Sequence, residues 1–199
     1  MAEPKLHRMT ADEFLAWQQK QERLYELVDG LPVLPLKMMT GASQAHDRAV
    51  VNIIASLHQK LRGGPCRPTT DDLAVRIPAG NVRRSDVTIE CGQADRRDMT
   101  VREPRIVVEV LSPSTMSFDR FKKVLEYQTL PALTHILLVD TEVPRIDVLT
   151  RSGTDTWAST RYEGLDAAIE LPSITASLRL AEVYEGIEFE TAQPPAPQA

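Results

Sequence analysis

The 199-residue sequence predicts an α/β fold, a mixed central β-sheet flanked by helices. Three observations carry that prediction. Short strand-like apolar runs are interleaved with segments of helical period. The run 105–111, the helical segment 117–130 and the run 136–139 form a βαβ-like unit whose strands should lie parallel. The stretch from Ile106 to Leu111 is apolar on both faces apart from Glu109, as expected at the centre of a sheet.

Each element has a local reason. Thr10-Ala11-Asp12-Glu13 is a capping box that opens a helix reaching about Gln19. Two short strands, 24–28 and 31–34, flank Asp29-Gly30, a dipeptide that favours a tight hairpin. A long helix spans 43–61: Val50, Ile53, Ile54, Leu57 and Leu61 form an apolar stripe, and Gly63-Gly64 end it. Strands follow near 73–77 and 86–91, then a polar, arginine-rich loop from 92 to 104. Ser112-Pro113-Ser114-Thr115 breaks the central strand before the helix 117–130, which Pro131 stops. The segments 146–150 and 156–162 read as edge strands and 180–184 as a terminal helical turn. The stretch 191–199, with three prolines, reads as a disordered tail, so a single domain is expected over 1–190.

Composition bounds the function. The hydrophobic fraction of 42% and charged fraction of 26% are ordinary for a globular domain. No run approaches the ~20 apolar residues of a membrane span, and the first twenty residues carry charges of both signs instead of an apolar signal core. The expected address is the cytoplasm, with no membrane partner. Cys66 and Cys91 make no disulfide framework and are expected to be reduced, semi-buried fillers. The net charge of −5 argues against wrapping duplex DNA by overall field. The arginine pairs 83–84, 96–97 and 102 with 105 could still form a local basic rim, or simply solvated loops.

An acid in the middle of an apolar strand needs a reason, because burying an unpaired carboxylate costs several kcal/mol. Strand alternation puts Glu109 on the face opposite Ile106, Val108 and Val110, and Asp86 on a face with Thr88 and Glu90. If the two strands are neighbours, Asp86 and Glu109 meet, and a bound Mg²⁺ or Mn²⁺ would offset the charge. On the following helix, Asp119, Lys123 and Tyr127 recur at i, i+4 and i+8. Tyr127 should look toward the sheet and carry Lys123 inward with it, leaving Lys122 about 100° away in water.

The segments Tyr25-Glu26-Leu27-Val28-Asp29-Gly30, His46, Arg84-Ser85-Asp86-Val87, Val108 to Thr115, Asp119…Lys123…Tyr127 and Leu138-Val139-Asp140 together resemble the Uma-two family of endonucleases. That family belongs to the PD-(D/E)XK, or restriction-endonuclease-like, superfamily, and the resemblance runs from about Met9 to Glu185. It implies a restriction-endonuclease-like fold and a metal-dependent endonuclease that hydrolyses phosphodiester bonds. Asp86 and Glu109 would be the acids of the two half-motifs and metal ligands. Glu26 would be an additional catalytic acid, either a further metal ligand or one acting through water. Lys123 would be the motif lysine, displaced onto the helix because Leu111 stands two residues after Glu109, and Ser85 replaces the proline of the superfamily name. The implied partner is nucleic acid, DNA foremost, with a homodimer as an open expectation.

Blander readings stand beside these. Glu26 could be an exposed hairpin acid, Asp86 could pair with Arg83 or Arg84, and Lys123 could pair with Asp119 on the helix surface. His46, near a helix start, could be a capping or core histidine. At the level of function, a non-catalytic binding or regulatory module of the same fold and a hydrolase of small phosphorylated substrates remain the alternatives. The acidic net charge leans toward the small substrate and the arginine-rich loop toward a polymer.

Overall fold

The computed structural model describes residues 8–35, 43–111 and 118–189; the breaker 112–115 and the tail 191–199 lie outside them. Helix α1 (Ala11–Gln18) begins as its capping box requires, with Glu13 N–H donating to Thr10 Oγ1 and Thr10 N–H donating to the Glu13 carboxylate. Strands β1 (Glu26–Val28) and β2 (Leu31–Val33) form the expected hairpin. Asp29 and Gly30 both take positive φ, 51° and 81°, the geometry of a type I′ turn. Helix α2 (Gln44–Lys60) is capped by Ser43, whose Oγ accepts from His46 N–H.

The chain then lays down β3 (Cys66–Thr70), β4 (Ala74–Arg76), β5 (Val82–Arg83), β6 (Val87–Cys91), β7 (Thr100–Val101) and β8 (Pro104–Leu111). Helix α3 (Phe118–Gln128) leads to β9 (His135–Asp140), β10 (Arg145–Arg151) and β11 (Trp157–Glu163). A hairpin, β12 (Ala168–Leu171) with β13 (Ala176–Arg179), and a short helix α4 (Leu180–Val183) follow. The central sheet has the order β11-β10-β9-β8-β6-β3, and it is mixed: β8 and β9 are parallel, as the βαβ pattern requires, and the other pairs are antiparallel.

A second sheet, β2-β1-β5-β4-β7, gathers the expected hairpin β1–β2 and the expected strand β4 with β5 and β7, which the sequence pattern does not show. Those two strands are two residues long, too short to show a period of two. The hairpin β12–β13 and strand β3, which contains Pro68, also escape the pattern. The central sheet is covered on both faces. Ile53 and Leu57 of α2 pack with Val87, Ile106, Val108 and Leu137 on one face, joined by the β12–β13 hairpin and α4. Val124 and Tyr127 of α3 pack with Val107, Ile136 and Val75 on the other. Alternation along β8 is therefore real, and it aims Glu109 at α3.

The cysteines correct an expectation. β3 and β6 pair with Cys66 directly opposite Cys91, and the two are joined as a disulfide with a Cα–Cα distance of 4.0 Å. A separation of 25 residues carries no hint of that register. Among the described residues no helix is long and apolar enough to cross a membrane.

The hairpin turn yields a direct test. A Cβ on Gly30 would lie 2.9 Å from Arg8 Cβ, at a φ that L side chains disfavour. Gly30→Ala should lower the unfolding free energy by about 1–2 kcal/mol from the backbone alone, with the clash adding to it. Urea denaturation reads this as a lower midpoint at unchanged slope; an unchanged midpoint would contradict the turn.

Candidate active site

The chain changes sheet between β5 and β6, and Asp86 stands at that crossing, one residue before β6. Because Val87 lies opposite Val108, Asp86 arrives beside Glu109. Val110 N–H, the next amide after Glu109, donates to Asp86 Oδ2 at 2.8 Å. His46, in the first turn of α2, places Nε2 3.5 Å from Asp86 Oδ1, and both side chains are buried.

Helix α3 supplies the opposite wall. Tyr127 OH donates to Glu109 Oε1 at 2.7 Å. Lys123 Nζ lies 3.9 Å from that same oxygen and 2.8 Å from Glu26 Oε1. Lys122 turns the other way and pairs with Asp29 at 2.7 Å. The helical period separates two adjacent lysines into an inward and an outward one. The side chain of Asp119 lies outside the described residues.

Glu26 is set by the second sheet. Leu27 lies opposite Val82, so Glu26 neighbours Arg83 across the β1–β5 pair. Arg83 Nη1 donates to Glu26 Oε2 at 3.0 Å, and Arg84 N–H donates to Oε1 at 3.0 Å. With Lys123 added, both oxygens of Glu26 are engaged. Arg83 is wholly buried and also donates to Glu126, Nε at 2.6 Å and Nη2 at 3.1 Å. Arg84 donates instead to the backbone carbonyls of Tyr25, Asp71 and Asp72.

The electrostatics follow from this pairing. Burial opposes the charge on Glu26, but Lys123 and Arg83 overcome it and hold its carboxyl below the ordinary 4.5. Burial likewise opposes the charge on Lys123, yet Glu109 and Glu26 outweigh it and keep the ammonium more firmly protonated than a free lysine. Burial, reinforced by Glu109 and Glu26, pushes the Tyr127 phenol far up, so it remains a donor.

The structure thus brings Glu26, Glu109 and Lys123 into one cluster with Tyr127, and sets Asp86 beside Glu109 with His46. Among the described residues no group of three His, Cys, Asp or Glu side chains has the spacing of a metal site. The physical reason is that Glu26 faces the cations Lys123 and Arg83. Asp86 and Glu109 carry the oxygen donors that a hard divalent ion takes.

Two expectations about arginines are corrected. Arg83 and Arg84 are buried, not solvated loop residues. The loop after β6 lies at the far end of the strands, since Glu90 pairs with Pro104 while Asp86 and Glu109 occupy the other end. Five residues of strand separate them, roughly 17 Å at 3.4 Å per residue. Within that loop Arg102 pairs with Asp98, and Arg105, at the start of β8, pairs with Glu103. Glu126, invisible to sequence reasoning, had one available signal: it falls one helical turn after Lys123.

The Glu26 carboxyl gives a pH test. Its folded pKa is depressed, so its ion pairs contribute stability above the ordinary 4.5 that is lost as pH falls through the lower folded value. Melting temperature should fall as the pH is taken below that ordinary value, and Glu26→Gln should flatten the fall. At neutral pH the same substitution should destabilise by about 3–5 kcal/mol, because it strands buried cations. Parallel pH profiles for the two proteins would exclude this account.

The family model described as "Uma2: Putative restriction endonuclease" matches residues 11–182. An uncharacterized protein of Synechocystis sp. is 31% identical over 184 residues, covering 92% of this chain and 94% of the relative. A second from the same organism is 27% identical over 166 residues, covering 81% and 92%. A crystal structure from Anabaena variabilis, described as "a putative nuclease belonging to DUF820", superposes with a TM-score of 0.67 at 14% identity, over 88% of this chain and 97% of that one. The sheet topology and the match across nearly the whole folded chain lead to one conclusion: the protein belongs to the Uma2 family and has a restriction-endonuclease-like fold.

Proposed function

We propose that the chain is an endonuclease that hydrolyses phosphodiester bonds in nucleic acid, DNA foremost, with Mg²⁺ or Mn²⁺ held by Asp86 and Glu109. One observation supports this most directly: the Lys123 ammonium, borne by a different element, lies 3.9 Å from the acid of the central strand. Mg²⁺ commonly uses one or two carboxylates and keeps water in its remaining positions, so two acids suffice. The ion, when bound, supplies Lewis-acid polarisation of a phosphoryl oxygen and makes water more acidic.

The protein groups take the remaining roles. Glu26 acts by holding Lys123 in place, since both its oxygens are already engaged. Lys123, kept protonated, orients the attacking water and stabilises the charge that builds on the phosphate. Tyr127 fixes the Glu109 carboxylate through its hydroxyl. A second reading, hydrolysis of a small phosphorylated substrate, is favoured by the distance of the 92–104 loop from Asp86 and Glu109.

Metal supplies the first test. Millimolar Mn²⁺ should raise the melting temperature of the parent protein by linkage, and Glu109→Ala should lose that response. Glu109→Gln should abolish Mn²⁺-dependent cleavage of plasmid, single-stranded DNA and RNA while the protein remains folded. No Mn²⁺ shift in the parent would sink the metal site; cleavage of bis(p-nitrophenyl) phosphate without cleavage of any polymer would establish the second reading.

The helix lysines supply the next. Lys123→Ala should reduce turnover by roughly 10²–10³-fold and leave the Mn²⁺ midpoint nearly unchanged. Lys122→Ala, altering the outward lysine, should be close to silent. Equal losses from both would indicate a general basic surface instead of a positioned ammonium.

A further inference from the structure

Four charged side chains form a closed ring. Lys123 binds Glu26 at 2.8 Å, Glu26 binds Arg83 at 3.0 Å, and Arg83 binds Glu126 at 2.6 and 3.1 Å. Lys123 and Glu126 are three residues apart on α3, so the helix itself closes the ring. Glu126 is fixed from a further side, because Asn81 Nδ2 donates to its Oε1 at 2.8 Å. Asn81 is anchored in turn, accepting from Asp29 N–H at 2.8 Å.

The ring has a mechanical consequence. Lysine has four rotatable bonds and no geometric preference of its own for an acid. Its closest carboxylate is Glu26, not Glu109, so the position of Glu26 sets where the ammonium points. Glu26 is held by an arginine fork, and that fork is held in plane by a bidentate contact to Glu126. The helix carrying the lysine is thus clamped to the second sheet at two points, one turn apart. Rotating α3 by even a fraction of a turn would break one of them.

We infer that Glu126 is a positioning residue for Lys123, acting through Arg83 and Glu26, although it makes no contact with Asp86 or Glu109 among those described. The inference rests on the hydrolytic role proposed for Lys123, but the positioning itself can be observed without catalysis.

The experiment uses the full chain labelled with ¹⁵N-lysine, with the Lys123 ammonium resonance assigned by its loss in Lys123→Arg. Glu126→Gln removes the charge that holds the arginine fork; Glu126→Asp, which keeps the charge one methylene short, serves if the first variant folds poorly. Either should shift the Lys123 ammonium resonance and speed its hydrogen exchange, while the Lys60 ammonium, paired with Glu182, stays as it was. In the cleavage assay, well below the melting temperature, Glu126→Gln should lower kcat by roughly 10- to 100-fold, the scale of a displaced catalytic group. KM and the Mn²⁺ midpoint should change little. Combined with Lys123→Ala it should add no further loss, because the group it positions is gone. An unmoved Lys123 resonance in both Glu126 variants would overturn the inference whether or not the protein cleaves. A shifted resonance in a protein that cleaves nothing would uphold the positioning and remove the hydrolytic reading alone.

Discussion

Burial of the Arg83 guanidinium between Glu26 and Glu126 is the interaction on which the rest of this structure depends. A charge removed from water is tolerated only if its hydrogen-bonding groups find partners of opposite sign in good geometry. Here the partners come from two elements that are distant in sequence, β1 and α3. Satisfying one arginine therefore fixes the helix against the second sheet. That sheet is small and its strands are short, so apolar area alone would hold it weakly. Its core is built around Phe14, Leu27, Ala74 and Val82, and the Arg83 ion pairs add directional contacts to that apolar area.

The same constraint shapes the candidate site. Glu109 comes from a strand whose neighbours fill both faces with aliphatic side chains, and it is made tolerable by Tyr127 and Lys123. Asp86 comes from the crossing between sheets, where the backbone leaves one ladder and has not entered the next. Its carboxylate takes up the Val110 amide near the C-terminal end of β8, just past the last residues paired with β6. Two acids thus approach from two different kinds of backbone, one regular and one irregular. The lysine reaches Glu109 from a third element, α3, and the position two residues after Glu109 is held by Leu111. A side chain on a strand and one on a helix can present the same head group to the same acid. The head group's position is what chemistry requires, not its place in the chain.

Much of this was legible in the residues themselves. The capping box at Thr10, the Asp29-Gly30 turn, the apolar stripe of α2 and the parallel pair around α3 are local patterns with local physics. They appear in the structure as the patterns demand. Glu109 was conspicuous because an acid inside an apolar strand is costly, and the i, i+4 spacing of Lys123 and Tyr127 tied the lysine to the buried face. The tyrosine's ring sits in the core, so the lysine one turn before it has to face inward.

What the sequence alone determined, then, was the set of elements long enough to carry a period, and the acid and lysine whose placement on those elements was chemically unusual. Tertiary structure decided the rest. Three strands of the second sheet were legible, the hairpin pair β1 and β2 and the strand β4, but β5 and β7, two residues each, exist only because partners complete their hydrogen bonds, so the joining of these strands into one sheet had no signature. Arg83 and Arg84 read as solvated until a sheet was built over them. Cys66 and Cys91 faced each other only once β3 and β6 chose their register. Glu26 was an acid with several conceivable partners until β5 set Arg83 beside it and α3 delivered Lys123. The arginines of the 92–104 loop were near Asp86 in sequence but were carried to the opposite end of the sheet by the length of β6. Each of these outcomes depends on pairing between segments far apart in the chain, and a single strand or helix holds no record of its partner.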